Sequence, residues 1–317
     1  MNSPDYSKDF QLLLEAYKKA GGKPSILKNP EVAFLLVKEN KILGSNQIDG
    51  VVLTGSEAPD GVNLRMRVKK GVKLKHPIHF CFGIIPKSGI QKVNVEVLVE
   101  EGSSAEILAH CTFPNAVRVK HLMDGKFVVG KNAYLRYEEV HFHGSTGGIV
   151  VRPNIDVRVE RGGSYKTLFS LAKGRVGVLD INYRTEAFED SIVEMEAKAL
   201  GFEDDKIRIR EEVILSGRDA KSVIKTRVGL RDRATSDVYN VTEGNAPNVR
   251  GHVDCIEIVS GDAKATATPI VSVSNETARV THEAAIGSVD RKQLDTLMAH
   301  GLSRKEAIDT ILRAMLK

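Results

Sequence analysis

Apolar positions near the start of the chain recur with a helical period. Phe10, Leu13, Leu14 and Tyr17 fall at i, i+3, i+4 and i+7, and Gly21-Gly22 ends the run, which predicts a first helix. A second short helix is expected where Asn29 can cap, Pro30 takes the first helical position and Glu31 favours the positive dipole end, ahead of Val32-Ala33-Phe34-Leu35-Leu36. Together these make an N-terminal helical segment, residues 1–47. From about residue 48 the pattern becomes short alternating apolar runs, a strand signature, and helical signals nearly vanish until residue 288. Strands such as Val193–Ala199 and Ile207–Arg210 are apolar on one parity and charged on the other.

The turns between these runs recur: Gly102-Ser-Ser-Ala105, Gly130-Lys-Asn-Ala133, Gly162-Gly163-Ser164, Gly217-Arg-Asp-Ala220, Gly261-Asp-Ala263 and Asn275-Glu-Thr-Ala278. In the second half they fall about 13 to 16 residues apart, and the earlier glycine turns about twice that, as expected for solenoid coils of two strands. The repeat is degenerate, so spacing alone also fits a β-sandwich or barrel. A solenoid exposes strand edges at its ends, which predicts terminal helices or an oligomer.

Residues 288–317 supply such helices. Asp290 can cap a helix carrying Leu294, Leu297 and Met298 on one face, and Gly301 suits its left-handed end. Ser303-Arg-Lys-Glu306 is a capping box leading into Ala307, Ile308, Ile311, Leu312 and Met315. Two readings of this amphipathic pair stand side by side: the apolar faces pack on the solenoid, or they dock a partner.

Composition narrows the function classes. At 317 residues and 42% apolar content the chain can bury a full core, no apolar run is long enough to span a bilayer, and the N-terminus lacks a secretion-signal layout. A soluble, cytoplasmic protein is expected, with no membrane partner. The 46 basic residues are interspersed with 41 acids, and there is no Trp, so neither a phosphate-tracking block nor a base-stacking platform is present and nucleic-acid binding is not expected. Phosphate loops, dinucleotide-binding glycines, HExxH, GxSxG and CxxC are all absent, which argues against a nucleotide enzyme acting alone. A β-solenoid glycosidase would need paired carboxylates, and no pair can be singled out.

Three widely spaced cysteines argue against a disulfide framework or a closed zinc site, so any cysteine that matters acts as a thiol. Cys255 lies in His252-Val-Asp-Cys255-Ile-Glu257, with His282-Glu283 roughly one coil further on and about 5 Å along the axis. Thiolate suits iron–sulfur chemistry, and imidazole or carboxylate can complete a labile site. Adjacent strand residues face opposite ways, so His282 and Glu283 do not both point at one atom in a regular strand, and His282 also reads as a core or interface histidine. Cys111, beside His110, reads either as a buried small hydrophobe or as a tuned thiol. His141 and His143 share one strand face and read as metal ligands or, more commonly, as hydrogen-bonded histidines. Cys81, between Phe80 and Phe82, reads as core.

Gly251-His-Val-Asp-Cys255-Ile-Glu-Ile-Val-Ser-Gly261-Asp262, then Pro269, Val280-Thr-His282-Glu283-Ala-Ala-Ile-Gly287-Ser-Val-Asp290, Gln293-Leu294 and Gly301-Leu-Ser303-Arg-Lys-Glu306-Ala307 closely resemble the C-terminal signature of the SufB/SufD family of iron–sulfur cluster assembly scaffolds. A weaker resemblance runs through Cys111-Thr-Phe-Pro114 and Gly130-Lys-Asn-Ala133. The resemblance implies a mainly β chain with a right-handed parallel β-helix core over 48–287, an N-terminal helical segment and a C-terminal helical pair. It implies a non-catalytic scaffold that assembles a transient iron–sulfur cluster at a dimer interface, with a SufC-type ABC ATPase docked on the C-terminal helices. Cys255, His282 and Glu283 fall at its cluster-site positions and Cys111 at its sulfur-accepting cysteine, while Leu294, Leu297, Met298, Ile308, Ile311 and Leu312 form the implied docking face. Because one chain holds both the cysteine and the histidine, a homodimer is expected beside the SufB/SufD-like heterodimer, with a sulfur donor and apo-protein acceptors as further partners. The alternative from another class is an interaction module that regulates the ATPase without touching metal.

Overall fold

The computed structural model describes residues 8–316. It is a β-solenoid of about 8 turns with one N-terminal and two C-terminal helices. In chain order the elements are α1 (Lys8–Lys19), a short 3-10 turn (Pro24–Lys28), β1 (Phe34–Lys38), β2 (Lys41–Asn46), β3 (Val51–Ala58), β4 (Gly61–Val68), β5 (Ile78–Gly83), β6 (Ser88–Val99), β7 (Ser104–Phe113), β8 (Arg118–Val129), β9 (Tyr134–His143), β10 (Ile149–Val159), β11 (Ser164–Lys173), β12 (Gly177–Ala187), β13 (Ile192–Gly201), β14 (Lys206–Leu215), β15 (Lys221–Leu230), β16 (Thr235–Gly244), β17 (Arg250–Val259), β18 (Lys264–Val273), β19 (Arg279–Ser288), α2 (Arg291–Ala299) and α3 (Arg304–Met315).

From β4 onward, odd-numbered strands stack in one sheet and even-numbered strands in the other. Successive coils pair in parallel, each residue beside one 28 to 31 positions further on, as Ser164 beside Ile192 and Val62 beside Val93. The alternation seen in the sequence therefore sorts side chains into a lumen and a solvent face. Inward residues of both sheets merge into one apolar column running from Ala33 to Cys255. Each fully buried aliphatic in that column contributes about 1.5–3 kcal/mol, and the cysteines are all unpaired, so burial rather than cross-linking holds the solenoid.

The turn residues divide into two physical roles. Gly102, Asn132, Gly162, Asp190, Asp219 and Asn248 take positive φ at successive corners, the conformation that Gly, Asn and Asp tolerate best. Their backbone N–H groups step from coil to coil, as Asn132 to the Arg161 carbonyl at 2.9 Å and Asp190 to the Arg218 carbonyl at 2.9 Å. Gly217 serves differently, because a Cβ there would lie 1.9 Å from the Glu189 nitrogen of the coil below.

The second helix expected over Val32–Leu36 is corrected by the structure, which makes this segment the start of β1. The run is apolar on both parities because both faces are covered. Leu35 and Val37 enter the lumen, whereas Phe34 and Leu36 pack with Phe10, Leu13 and Tyr17 of α1 and with Cys81. Asn29 instead ends the 3-10 turn and accepts the Glu31 N–H at 3.0 Å.

The C-terminal caps form as the sequence predicts. Asp290 accepts the Gln293 N–H at 2.7 Å, Ser303 and Glu306 close a reciprocal box, and Gly301 takes a φ of +94°. At the other end of the solenoid, the antiparallel pairs β1–β2 and β3–β4 lie at the sheet margins. Among the described residues, the margin formed by β18 and β19 has no further strand against it.

Candidate functional site

The last coil is laid open. In β17 the inward positions Val253, Cys255 and Glu257 are buried or nearly so, but the corresponding side chains of β19 have no coil above them. Ile270, Val273 and Ile286 of this last coil are 43%, 53% and 48% exposed. Both terminal strands also present free ladder groups.

Cys255 sits one coil beneath this opening, 1% exposed, flanked in register by Thr226 of β15 and Ala284 of β19. Burial pushes its thiol up to about 12, and the nearby Glu257 and Glu211 add to the effect. The thiol is therefore protonated near neutral pH. His282 lies beside Val253 and Glu283 beside Asp254. His282 thus shares the parity of Ala284, the register partner of Cys255, whereas Glu283 belongs to the opposite parity, next to the Arg227–Asp254 ion pair of 2.5 Å. Both His282 and Glu283 are exposed. Within one chain the three residues are neighbours in register but not a gathered donor set.

Below Cys255 the lumen is unexpectedly polar. Glu211 is fully buried and accepts from Thr226 Oγ1 at 3.0 Å and Asn240 Nδ2 at 3.2 Å, while its second oxygen has no partner. Desolvation raises its carboxyl to about 8. Glu257 accepts from Ser236 Oγ and is raised by burial to about 7.

A second polar centre lies further along the lumen. Cys111 of β7, His121 of β8 and Glu139 of β9 bring Sγ, a ring nitrogen and a carboxylate oxygen within 4.8 Å of one another, the one such donor group among the described residues. Cys111 Sγ donates to Glu139 Oε1 at 3.8 Å, His141 Nε2 contacts the same oxygen at 2.6 Å, and the hydroxyls of Tyr137 and Tyr183 donate to Oε2 at 3.0 and 3.1 Å. Both nitrogens of His121 lack partners although the residue is wholly buried. Desolvation depresses His121 to about 3, so it is neutral. Cys111 rises well above the ordinary thiol range through burial and the adjacent Glu139. His141 and His143 do share one face, as their spacing predicts, and bond each other at 3.1 Å between Nδ1 and Nε2. His110, by contrast, faces away from Cys111 and packs against Tyr17, ring centroids 4.7 Å apart. Sequence reasoning passed over His121 and Glu139; the available signal was a polar residue on an otherwise apolar parity, as in Val119-Lys120-His121-Leu122-Met123.

Of the residues expected to form a docking face, Leu294, Ile308, Ile311 and Leu312 are buried with Leu200 and Phe202 of the solenoid wall. Leu297 is half-buried and Met298 is 39% exposed. Arg231 ties α3 to the wall through Asp309 at 2.8 Å, with its guanidinium 4.6 Å from the Phe202 ring centroid. What the helical pair leaves outward is Met298 and a mostly polar surface.

The family described as "SUF system FeS cluster assembly, SufBD core domain" matches residues 85–315. An iron–sulfur cluster assembly SufBD family protein of Methanocaldococcus jannaschii is 41% identical over 304 residues, covering 96% of each chain. A second, from Pyrococcus horikoshii, is 33% identical over 312 residues, covering 98% of this chain and 95% of the relative. A third, from Archaeoglobus fulgidus, is 28% identical over 87% of this chain and 73% of its own.

Proposed function

Because the chain belongs to the SufBD family of iron–sulfur cluster assembly proteins, we propose that it is a scaffold on which a nascent cluster is built where the open ends of two solenoids meet. The observation that carries this reading is the uncovered last coil, with Cys255 one coil beneath it and His282 and Glu283 at its rim. An apolar margin with free strand edges calls for a cover, and a second copy offers the same surface in return. Two such ends brought together place two thiols and two imidazoles around one enclosed space, with the two Glu283 carboxylates at its rim.

The cluster is cargo in this reading, and the chain supplies ligands rather than catalysis. Cys255 is the soft donor that iron and sulfide favour, and His282 and Glu283 are the exchangeable ones that allow release. A thiol protonated in the free chain yields its proton when iron binds, so the site stays inert toward other electrophiles until loaded. Chemical work is assigned to a SufC-type ABC ATPase docked on α2 and α3. Its contact is the outward surface around Met298, since the opposite apolar face is spent on Leu200 and Phe202.

Anaerobic reconstitution with ferrous iron and sulfide tests the reading. Visible charge-transfer absorption is expected from the wild-type chain, is largely lost in Cys255→Ala, and becomes labile in His282→Ala. A Cys255→Ala chain that gains the same absorption overturns the assignment. An interaction module without metal would instead be silent to both substitutions and lose ATPase binding on truncation before Asp290.

A further inference from the structure

We propose that Cys111, His121 and Glu139 form a separate interior site for a single divalent first-row transition-metal ion. The site is about five coils from Cys255, or roughly 24 Å along the solenoid at one strand spacing per coil, so it is not part of a cluster site at the open end.

Four features point to a ligand. First, three different donor types converge from β7, β8 and β9, so the two sheets close on one point in the lumen. Second, His121 is wholly buried with both ring nitrogens unbonded, although burying an unpaired polar group costs about 1–3 kcal/mol. Its rings of contact are Phe82, Phe113 and His141, so no protein partner satisfies it. Third, Glu139 is already held in place: Tyr137 and Tyr183 fix Oε2 and His141 fixes Oε1, the kind of outer-sphere support that orients a metal-binding carboxylate. Fourth, the charges balance, because a divalent cation with one thiolate, one carboxylate and a neutral imidazole is neutral overall, which suits a dry interior.

The donor set selects the metal. Thiolate with imidazole and carboxylate favours iron, cobalt or zinc over magnesium or calcium, which take oxygen ligands. Separations of up to 4.8 Å need to close to about 3.5 Å for tetrahedral coordination, a movement within reach of side-chain rotation. On binding, the Cys111 S–H bond breaks, a metal–sulfur bond forms, and the proton leaves to solvent; no electron transfer is involved. Three protein ligands leave a coordination position open.

Cobalt(II) alone is the probe, added anaerobically to chelator-treated full-length chain, both in the folded state and during refolding from denaturant so that a closed lumen does not prevent loading. One equivalent is expected to produce thiolate-to-cobalt charge-transfer absorption, and X-ray absorption of the wild-type complex should show one sulfur with nitrogen and oxygen neighbours. Cys111→Ala should abolish the band and His121→Ala should weaken binding at least tenfold, while Cys81→Ala leaves it unchanged. Absence of the band in the wild-type chain under both loading protocols, a sulfur-free cobalt shell, or loss of the band in Cys255→Ala rather than Cys111→Ala would overturn the proposal. Because the readout is Cys111-dependent cobalt and not reconstituted cluster, it stands or falls independently of the open-end reading.

Discussion

Glu211→Gln probes the polar lumen most quantitatively. In the folded chain its carboxyl is raised from 4.5 to about 8 by burial, against partial relief from Thr226 and Asn240. Below the lower value both folded and unfolded chains are protonated there and no charge is buried. As pH rises through the higher value the folded chain must either hold a buried carboxylate or unfold, so stability falls across this window. At 1.36 kcal/mol per pKa unit the full effect is about 5 kcal/mol. Glutamine mimics the protonated acid in shape and does not ionise. Chemical denaturation followed by circular dichroism should therefore find the variant close to wild type near pH 5 and more stable by several kcal/mol near pH 9. A smaller slope should persist in the variant from Glu257, which is raised to about 7. Glu139 is held below the ordinary carboxylate range by His141 despite its burial, so its opposing contribution falls at acid pH, outside the window. Stability curves of the two proteins that run parallel from acid to alkali would refute the reasoning.

Three further outcomes follow from the geometry. Leu312→Ala should cost about 2–5 kcal/mol, because the fully buried side chain sits between α3 and the wall strand at Gly229, and faster proteolysis of residues 288–317 would report the detached helices. Asp290→Ala should lower stability by about 1 kcal/mol through loss of the bond to the Gln293 N–H, read as a small drop in thermal midpoint. Gly217→Ala should destabilise by far more than an ordinary surface substitution, since the added methyl meets backbone of the preceding coil, and a chain of unchanged melting temperature would contradict the corner geometry.

Much of this architecture is legible in the sequence. Alternation with turns at half-coil spacing is enough to suggest stacked coils, because each coil must repeat the same inward parity and the same corner. The failure at Val32–Leu36 has a clear cause: a strand covered by α1 on one side and the lumen on the other loses its alternation and becomes indistinguishable from a buried helix. The C-terminal helices showed their apolar stripe but not what covers it, and the answer, Leu200 and Phe202, lies about a hundred residues upstream. Cys255, His282 and Glu283 were legible as register neighbours because they lie one coil apart in the sequence. His121 and Glu139 were missed because their meeting with Cys111 depends on the register of three strands in two adjacent coils and on which sheet each strand joins.

The central claim is that two open ends meet to enclose the cluster, and Ile286→Glu tests it directly. This side chain is already half exposed on β19, so a charge there should leave the single chain folded while opposing association. Light scattering and iron and sulfide content should be measured together after anaerobic reconstitution. The account predicts a dimeric, cluster-bearing wild-type chain and a folded monomeric variant that retains little cluster. A monomeric variant holding the same iron and sulfide per chain as wild type would contradict it.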